Sequence, residues 1–239
     1  MEKLMFKDLN LSSESLKILE ELKFKEPTEI QQLAIPKMME GIDLVGLSQT
    51  GSGKTLAFAL PIIEGIKDSK KIEALVLCPT RELALQIEEV FFSLTKYKQD
   101  IKILSVYGGA SIENQMRALR KGVNIVVGTP GRVMDLIRRK CLHLEAIKTA
   151  VLDEADEMLN MGFKEDVEEI FKYTPDYKQV VLFSATMPKE IKEISKNIQN
   201  NPYTIKVNKK EVTVQSIEQF YLNVKNPEKK QALLKLLEA

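Results

Sequence analysis

The sequence predicts an α/β domain with a mainly parallel central sheet and helices on both faces. Three observations lead there. Short β-branched runs recur along the chain, and several are apolar at consecutive positions, as strands buried on both faces must be. Amphipathic stretches lie between them. The alternation of the two, at this spacing, is what successive βαβ units produce.

In order, residues 1–40 read as helices that precede the first strand. Strands are expected at Asp43–Ser48, Ala74–Cys78, Ile101–Val106, Asn124–Gly128, Ala150–Leu152, Val180–Phe183 and Tyr203–Val207. Arg81–Tyr97 is the clearest helix, because Leu83, Ala84, Ile87, Val90, Phe91 and Leu94 share one face. Weaker helical patterns cover Ser111–Lys121, Arg132–Arg139, Lys164–Tyr173 and Lys189–Ile198. Asn200, Asn201 and Pro202 punctuate the chain, and Asn208–Glu211 reads as a polar connector. Beyond it a strand is expected at Val214–Val224 and a helix at Glu228–Leu237, capped by Asn226 with Pro227 at its first position. One strand and one helix cannot form a core. The expected division is therefore a main domain over 1–208 and, over 209–239, a linker with the opening of a second domain.

Composition limits the function. The 239 residues carry 35 Lys plus Arg against 34 Asp plus Glu, a net charge of +1. A nucleic-acid ligand must then be met by a local basic strip, since the global field is weak. Cys78 and Cys141 form no C-x-x-C pair, which points to a reducing compartment. The apolar run Leu56–Ile63 is too short to span a bilayer, and MEKLMFKDL lacks the apolar core of a signal peptide. The expectation is a cytoplasmic protein without a membrane partner. His143 is the sole histidine, so His-based metal clusters and catalytic triads are excluded.

The strongest chemical signal is SQTGSGKT, made of Ser48, Gln49, Thr50, Gly51, Ser52, Gly53, Lys54 and Thr55, after a strand and at the opening of a helix. That is the context of a phosphate-binding loop. The glycines let successive N–H groups turn toward phosphate oxygens, and the helix N-terminus adds partial positive charge. Lys54 can reach the β- and γ-phosphates of ATP, and the Thr55 hydroxyl can ligate Mg²⁺. The usual pattern begins with glycine, where this chain has Ser48. A glycine-rich turn without a ligand is the plainer alternative. The second signal is Asp153-Glu154-Ala155-Asp156 after the apolar run Ala150–Leu152. Asp153 can hold Mg²⁺, directly or through water, and Glu154 can deprotonate an attacking water. The plainer alternative is an acidic pair capping the following helix.

With these motifs the sequence resembles the DEAD-box RNA helicases, from residue 6 to about 238. The segment FKEPTEIQ matches the family's adenine-reading segment, which implies that Phe24 stacks on adenine, that Pro27 lies in the site, and that Gln31 pairs with the base. A carboxamide does offer adenine a matched donor and acceptor. Lys23 stands where the family usually has glycine, and Phe6 occupies a position that is often aromatic, where packing is the alternative. The resemblance also implies an RNA track lined by Pro79, Thr80 and Arg81, by Gly108 and Gly109, and by Thr129, Pro130, Gly131 and Arg132. It implies that Ser184, Ala185 and Thr186 couple the nucleotide to RNA through Asp156. The implied fold is RecA-like, and the implied activity is ATP-dependent unwinding or remodelling of RNA.

The residues support part of this independently. The glycine-rich loop, Pro79–Ala84, Gly108–Gly109, Thr129–Arg132, Asp153–Asp156 and Ser184–Thr186 fall at the C-terminal ends of different expected strands, the edge where open α/β sheets bind ligands. Arg81 and Arg132 lie near helix starts, where backbone N–H groups face phosphates, although a surface role suits them equally. With no Trp and no aromatic-rich strand, grip on the sugar-phosphate backbone of single-stranded RNA is expected, tolerant of sequence. Cys78 reads as core, Arg138–Lys140 as a solvated helix end or a phosphate contact, and Lys209–Lys210 as linker. The last arginine is Arg139, so an arginine finger must come from a second RecA-like domain outside the chain. The alternative of another class is a non-enzymatic ATP- or RNA-binding adaptor. A DNA helicase is disfavoured by the Phe24–Gln31 segment together with Asp153–Asp156. The wealth of Lys, Glu and Ile leans toward a thermophile, archaeal in character.

Overall fold

The computed structural model describes residues 4–49, 51–67, 70–207 and 220–238. They fall into two compact units, 1–207 and 208–239. Within the first, a seven-stranded sheet has the order β3-β4-β2-β5-β6-β1-β7, and every pairing is parallel.

A 3₁₀ turn at Phe6–Asp8 leads into α1 (Ser13–Glu21) and α2 (Glu29–Met39). Then β1 (Leu44–Leu47), α3 (Lys54–Gly65), β2 (Ala74–Leu77), α4 (Arg81–Leu94) and β3 (Ile103–Val106) follow. Next come α5 (Ile112–Arg120), β4 (Ile125–Gly128), α6 (Pro130–Arg138), β5 (Thr149–Leu152), α7 (Ala155–Asn160), α8 (Lys164–Phe171), β6 (Gln179–Ser184), α9 (Lys189–Ile198) and β7 (Tyr203–Lys206).

The strand order accounts for the layers. The crossovers β1–β2 and β2–β3 run one way along the sheet, and the later ones run back. Right-handed connections then put α3 and α4 on one face and α5, α6, α8 and α9 on the other. Two cores result. One holds Phe58 of α3 between Phe91 of α4 and Phe183 of β6, at ring-centroid distances of 6.3 and 5.9 Å. The other packs Val133, Leu136, Val167, Ile170 and Ile191 on Leu75, Val126 and Leu182. Emptying the Phe58 position would cost about 3–5 kcal/mol. It would also loosen the helix that begins at the glycine-rich loop.

Details depart from expectation. The Arg81 helix ends at Leu94, and α6 starts at Pro130 rather than Arg132, because Pro is suited to a first helical position. The helix following Asp153-Glu154 is the short α7, too brief to show a period of its own. Cys78 lies just past β2 and is fully buried. Phe6 is a core residue, 4% exposed, so the packing alternative describes its placement.

In the second unit, the expected connector at 208–211 and strand residues 214–219 lie outside the described residues, and Phe220–Val224 is not strand. A 3₁₀ turn at Asn226–Glu228, capped at Lys225 rather than Asn226, enters α10 (Lys229–Glu238). Among the described residues no helix is long and apolar enough to cross a membrane.

Candidate functional site

Strand register gathers the motifs. Leu47 pairs with Ser184, and Leu77 with both Gly128 and Leu152. The residues after these ends are bonded across strands: Ser48 N donates to Ser184 O at 3.1 Å, Asp153 N to Leu77 O at 2.9 Å, and Thr129 N to Val106 O at 3.1 Å. The glycine-rich loop, Pro79–Arg81, Gly108–Gly109, Thr129–Arg132, Asp153–Asp156 and Ser184–Thr186 therefore share the C-terminal edge of one sheet.

At one end of this edge lies the loop that opens α3. Gly53 caps the helix with φ +94°, a conformation that favours glycine. A Cβ there would also lie 2.5 Å from Gln31 Nε2. That closeness is functional packing between α2 and the loop. Gln31, 4% exposed, donates through Nε2 to Gly53 O at 3.0 Å and accepts through Oε1 from Thr28 N at 2.9 Å. Thr28 Oγ1 donates to Ser52 O at 2.9 Å. Thr28 was not singled out from sequence; its place as the residue before α2, three positions ahead of Gln31, is the signal that could have found it. Ser52 Oγ donates to Ser48 Oγ at 3.0 Å, so the serine in the usual glycine position takes part in shaping the loop. Lys54 is buried, and its Nζ donates to Ser48 O at 3.3 Å. Gln49, Gly51 and Thr55 are placed in the same turn, while Thr50 lies outside the described residues. Phe24 is 43% exposed in the segment just before α2, and Pro27 is buried beside it in sequence.

Asp153 is 3% exposed. Burial pushes its pKa up to about 6, with the nearby Lys54 charge opposing the shift. Its Oδ1 accepts from Glu154 N at 3.1 Å. Glu154 adopts φ 53°, ψ 50°, a left-handed conformation that costs a non-glycine residue roughly 1–2 kcal/mol. It occupies the cap position of α7 yet makes no side-chain capping bond, so the capping alternative does not describe it. Asp156 Oδ2 accepts from Thr186 N at 2.9 Å and from Thr186 Oγ1 at 2.8 Å. Burial alone would raise the Asp156 pKa, but these bonds outweigh it and hold the group below its usual value. Ser184 Oγ, fully buried, meets no hydrogen-bond partner among the described residues. Cys78, beside these carboxylates, is an inert thiol whose pKa is driven upward by burial first and by Asp153 next.

The other end is more open. Thr80 caps α4, accepting from Leu83 N at 3.2 Å. Arg81 stacks 5.0 Å from the Tyr107 ring centroid. Gly109 has φ +83°. Arg132 donates through Nη1 to Ala110 O at 3.2 Å and to Gln115 Oε1 at 2.8 Å, tying the start of α6 to the turn that begins α5. Tyr107 and Gln115 carry no motif and could be found only in three dimensions.

Among the described residues no three His, Cys, Asp or Glu side chains gather as a metal cage. A buried carboxylate within the influence of the Lys54 charge nevertheless suits a hard cation that takes its remaining ligands from phosphate and water.

Comparison with known proteins agrees with this arrangement. A family model described as "DEAD/DEAH box helicase" matches residues 28–194. The chain is 48% identical over 234 residues to the DEAD-box ATP-dependent RNA helicase CshA of Streptococcus pneumoniae serotype 4, covering 98% of this chain and 44% of that protein. It is 46% identical over the same share to CshA of Geobacillus kaustophilus, covering 50% of it. The chain thus spans about half the length of the curated relatives it matches. The crystal structure of a DEAD box protein from the hyperthermophile Methanococcus jannaschii superposes with a TM-score of 0.84 at 44% identity, over 99% of this chain and 64% of that one. The fold is accordingly the RecA-like one, and a family match across more than half its length means that the chain belongs to the DEAD/DEAH box helicases.

Proposed function

We propose that this chain is the ATP-binding half of an ATP-dependent RNA helicase, an RNA-stimulated ATPase that unwinds or remodels RNA in the cytoplasm. The observation that carries the reading is the buried Lys54–Asp153 neighbourhood, joined through Asp156 to Thr186.

In this reading Lys54 exchanges its bond to Ser48 O for the phosphates, and the N–H groups of Gly51–Thr55 cradle them. Gln31 keeps its bonds to Thr28 and Gly53 and still has one N–H and one lone pair for adenine. Phe24 offers an exposed face for stacking, with Pro27 at the same margin. Thr55 and Asp153 hold Mg²⁺, which neutralises charge on the phosphates when bound. Glu154, turned by its left-handed backbone, takes a proton from the attacking water. Thr80, Arg81, Gly108, Gly109 and Thr129–Arg132 grip RNA phosphates through helix N-termini and guanidinium groups. The Asp156–Thr186 bond couples the two ends. A second RecA-like domain closes the cleft and supplies the arginine finger, and residues 209–239 begin it.

The test is ATP hydrolysis by a longer protein carrying the second domain, with single-stranded RNA or DNA as stimulant. RNA-stimulated turnover supports the reading. The 239-residue chain alone is expected to bind nucleotide weakly and not to unwind duplex RNA. Absence of hydrolysis in the longer protein would leave the adaptor alternative, and stimulation by DNA alone would overturn RNA as the partner.

A further inference from the structure

The chain has six arginines, and five of them, Arg117, Arg120, Arg132, Arg138 and Arg139, fall between residues 117 and 139. Arg132 is held by Ala110 and Gln115, as described. The other four belong to no family motif quoted above. They lie on α5 and just at the end of α6, two helices on one face of the sheet.

Both helices bury their other side. In α5, Gln115 and Leu119 are buried, which leaves Arg117, Arg120 and the following Lys121 exposed. In α6, Val133, Met134, Leu136 and Ile137 are buried, and Arg138, Arg139 and Lys140 are exposed. The two helices are tied to one another, since Arg132 of α6 donates through Nη1 to Gln115 Oε1 of α5 at 2.8 Å. Arg139 is paired with Asp135, Nε to Oδ1 at 2.8 Å. No carboxylate is within ion-pairing distance of Arg117, Arg120, Lys121, Arg138 or Lys140 among the described residues. These guanidinium groups thus stand without ion-pair partners on the outward sides of α5 and α6, while the neighbouring α8 carries Glu165, Asp166, Glu168 and Glu169.

The strip also has a direction. α5 begins just after Gly108–Gly109 and α6 begins at Thr129–Pro130, so both helices start at the sheet edge assigned to RNA and run away from it. The nine residues of α5 extend about 14 Å. That length spans two or three successive phosphates of a nucleic-acid strand. Guanidinium is the side chain best matched to phosphate oxygens.

We infer that the outward face of α5 and α6 holds the sugar-phosphate backbone of RNA extending beyond the strand gripped at the sheet edge. This rests on the proposal that the edge binds RNA. The contact is independent of sequence and sensitive to salt, because each phosphate neutralised releases counterions.

The test compares the 239-residue chain with a triple variant, R117E/R120E/R138E. Two probes are used: a single-stranded RNA hexamer, short enough to lie on the edge alone, and a duplex RNA with the same six nucleotides as an overhang. Binding is measured at several salt concentrations, with nucleotide affinity and thermal melting as controls for folding. The triple variant is expected to lose roughly tenfold or more in affinity for the overhang duplex. Its salt slope should fall by about two to three, close to one unit per lost phosphate. Hexamer and nucleotide binding should hold. If the unsubstituted chain binds both probes and the triple variant keeps the same slope on the duplex, this inference is overturned while the RNA reading stands, and the face belongs to a partner other than RNA. Equal loss on both probes would show that the strip is not a separate contact. If the unsubstituted chain binds neither probe, the RNA reading and the inference fall together. A milder variant, R117Q/R120Q, with about two thirds of the change in slope, guards against misfolding by charge reversal.

Discussion

The two ends of the binding edge are built on opposite principles. At the nucleotide end, the ionisable groups are buried: Lys54, Asp153 and Asp156 are each under 9% exposed. At the RNA end, Arg81 is exposed and Arg132 half-buried, and the order comes from helix caps and from bonds to neighbouring turns. In the proposed function the difference follows from what each end would hold. Transferring a phosphoryl group needs charges fixed in a poorly solvated place, where each interaction is strong. Gripping an RNA backbone of any sequence, as proposed, needs contacts that form with any sequence and let go.

Replacing Glu154 should separate the ends most sharply. In a protein that carries this domain and a second one, Glu154→Gln should slow ATP turnover by about 10²–10⁴ while leaving ATP and RNA affinity near the parent values. Single-turnover hydrolysis and equilibrium binding measure this. Hydrolysis at the parent rate removes Glu154 from the reaction.

Burial at the nucleotide end has a consequence for stability. Asp153 has a folded pKa of about 6, raised above its ordinary value. The folded state therefore prefers the protonated form, and the stability this gives is full below about pH 4 and lost as pH rises through 6. Asp153→Asn should then stabilise the nucleotide-free chain above pH 6, by on the order of 2–3 kcal/mol, and change it little near pH 4. Thermal or urea melts at the two pH values give the answer. An equal effect at both would mean that the carboxylate is not desolvated. The same substitution should weaken Mg²⁺-dependent nucleotide binding.

For Lys54→Ala, nucleotide affinity should fall by about 1.5–3 kcal/mol through loss of a charge-assisted phosphate contact, as measured by calorimetry. RNA affinity in the absence of nucleotide should not move. The mirror-image change is smaller. Arg132→Gln should reduce the salt slope of RNA binding by about one and leave nucleotide affinity intact. It also gives up the bonds to Ala110 and Gln115, so a loss of thermal stability is expected alongside. Should Arg132→Gln weaken ATP binding in the absence of RNA, the coupling between the two ends is not confined to Asp156–Thr186.

The sequence was most legible where periodicity and turn chemistry coincide. All seven strands of the main domain lie within a few residues of their expected positions, because six are short, mainly apolar runs closed by a polar turn and β7, mostly exposed, follows the break at Asn200–Pro202. The glycine-rich loop and the Asp153–Asp156 segment were visible for the same reason. Boundaries were less legible at α4, whose apolar pattern continues past Leu94 to Tyr97 although the helix does not. Phe6 and Phe24 show a different limit. Their residue type is the same, yet one is core and the other exposed, and nothing local distinguishes them.

By itself, then, the sequence determined the alternation of strands and helices, the chemistry of each motif and the edge on which the motifs lie. Those depend on neighbours within a few positions, where hydrophobic period and turn residues act. Only the tertiary structure decided the environment of each group. Asp153 is desolvated because Lys54, Glu154 and the sheet close around it; Gln31 is committed to Gly53 because α2 packs on the loop, 22 residues away in sequence. Asp156 meets Thr186 across 30 residues, and Arg132 meets Gln115 across 17. Desolvation and long-range hydrogen bonding are properties of packed neighbours, and packed neighbours exist only once the chain has folded.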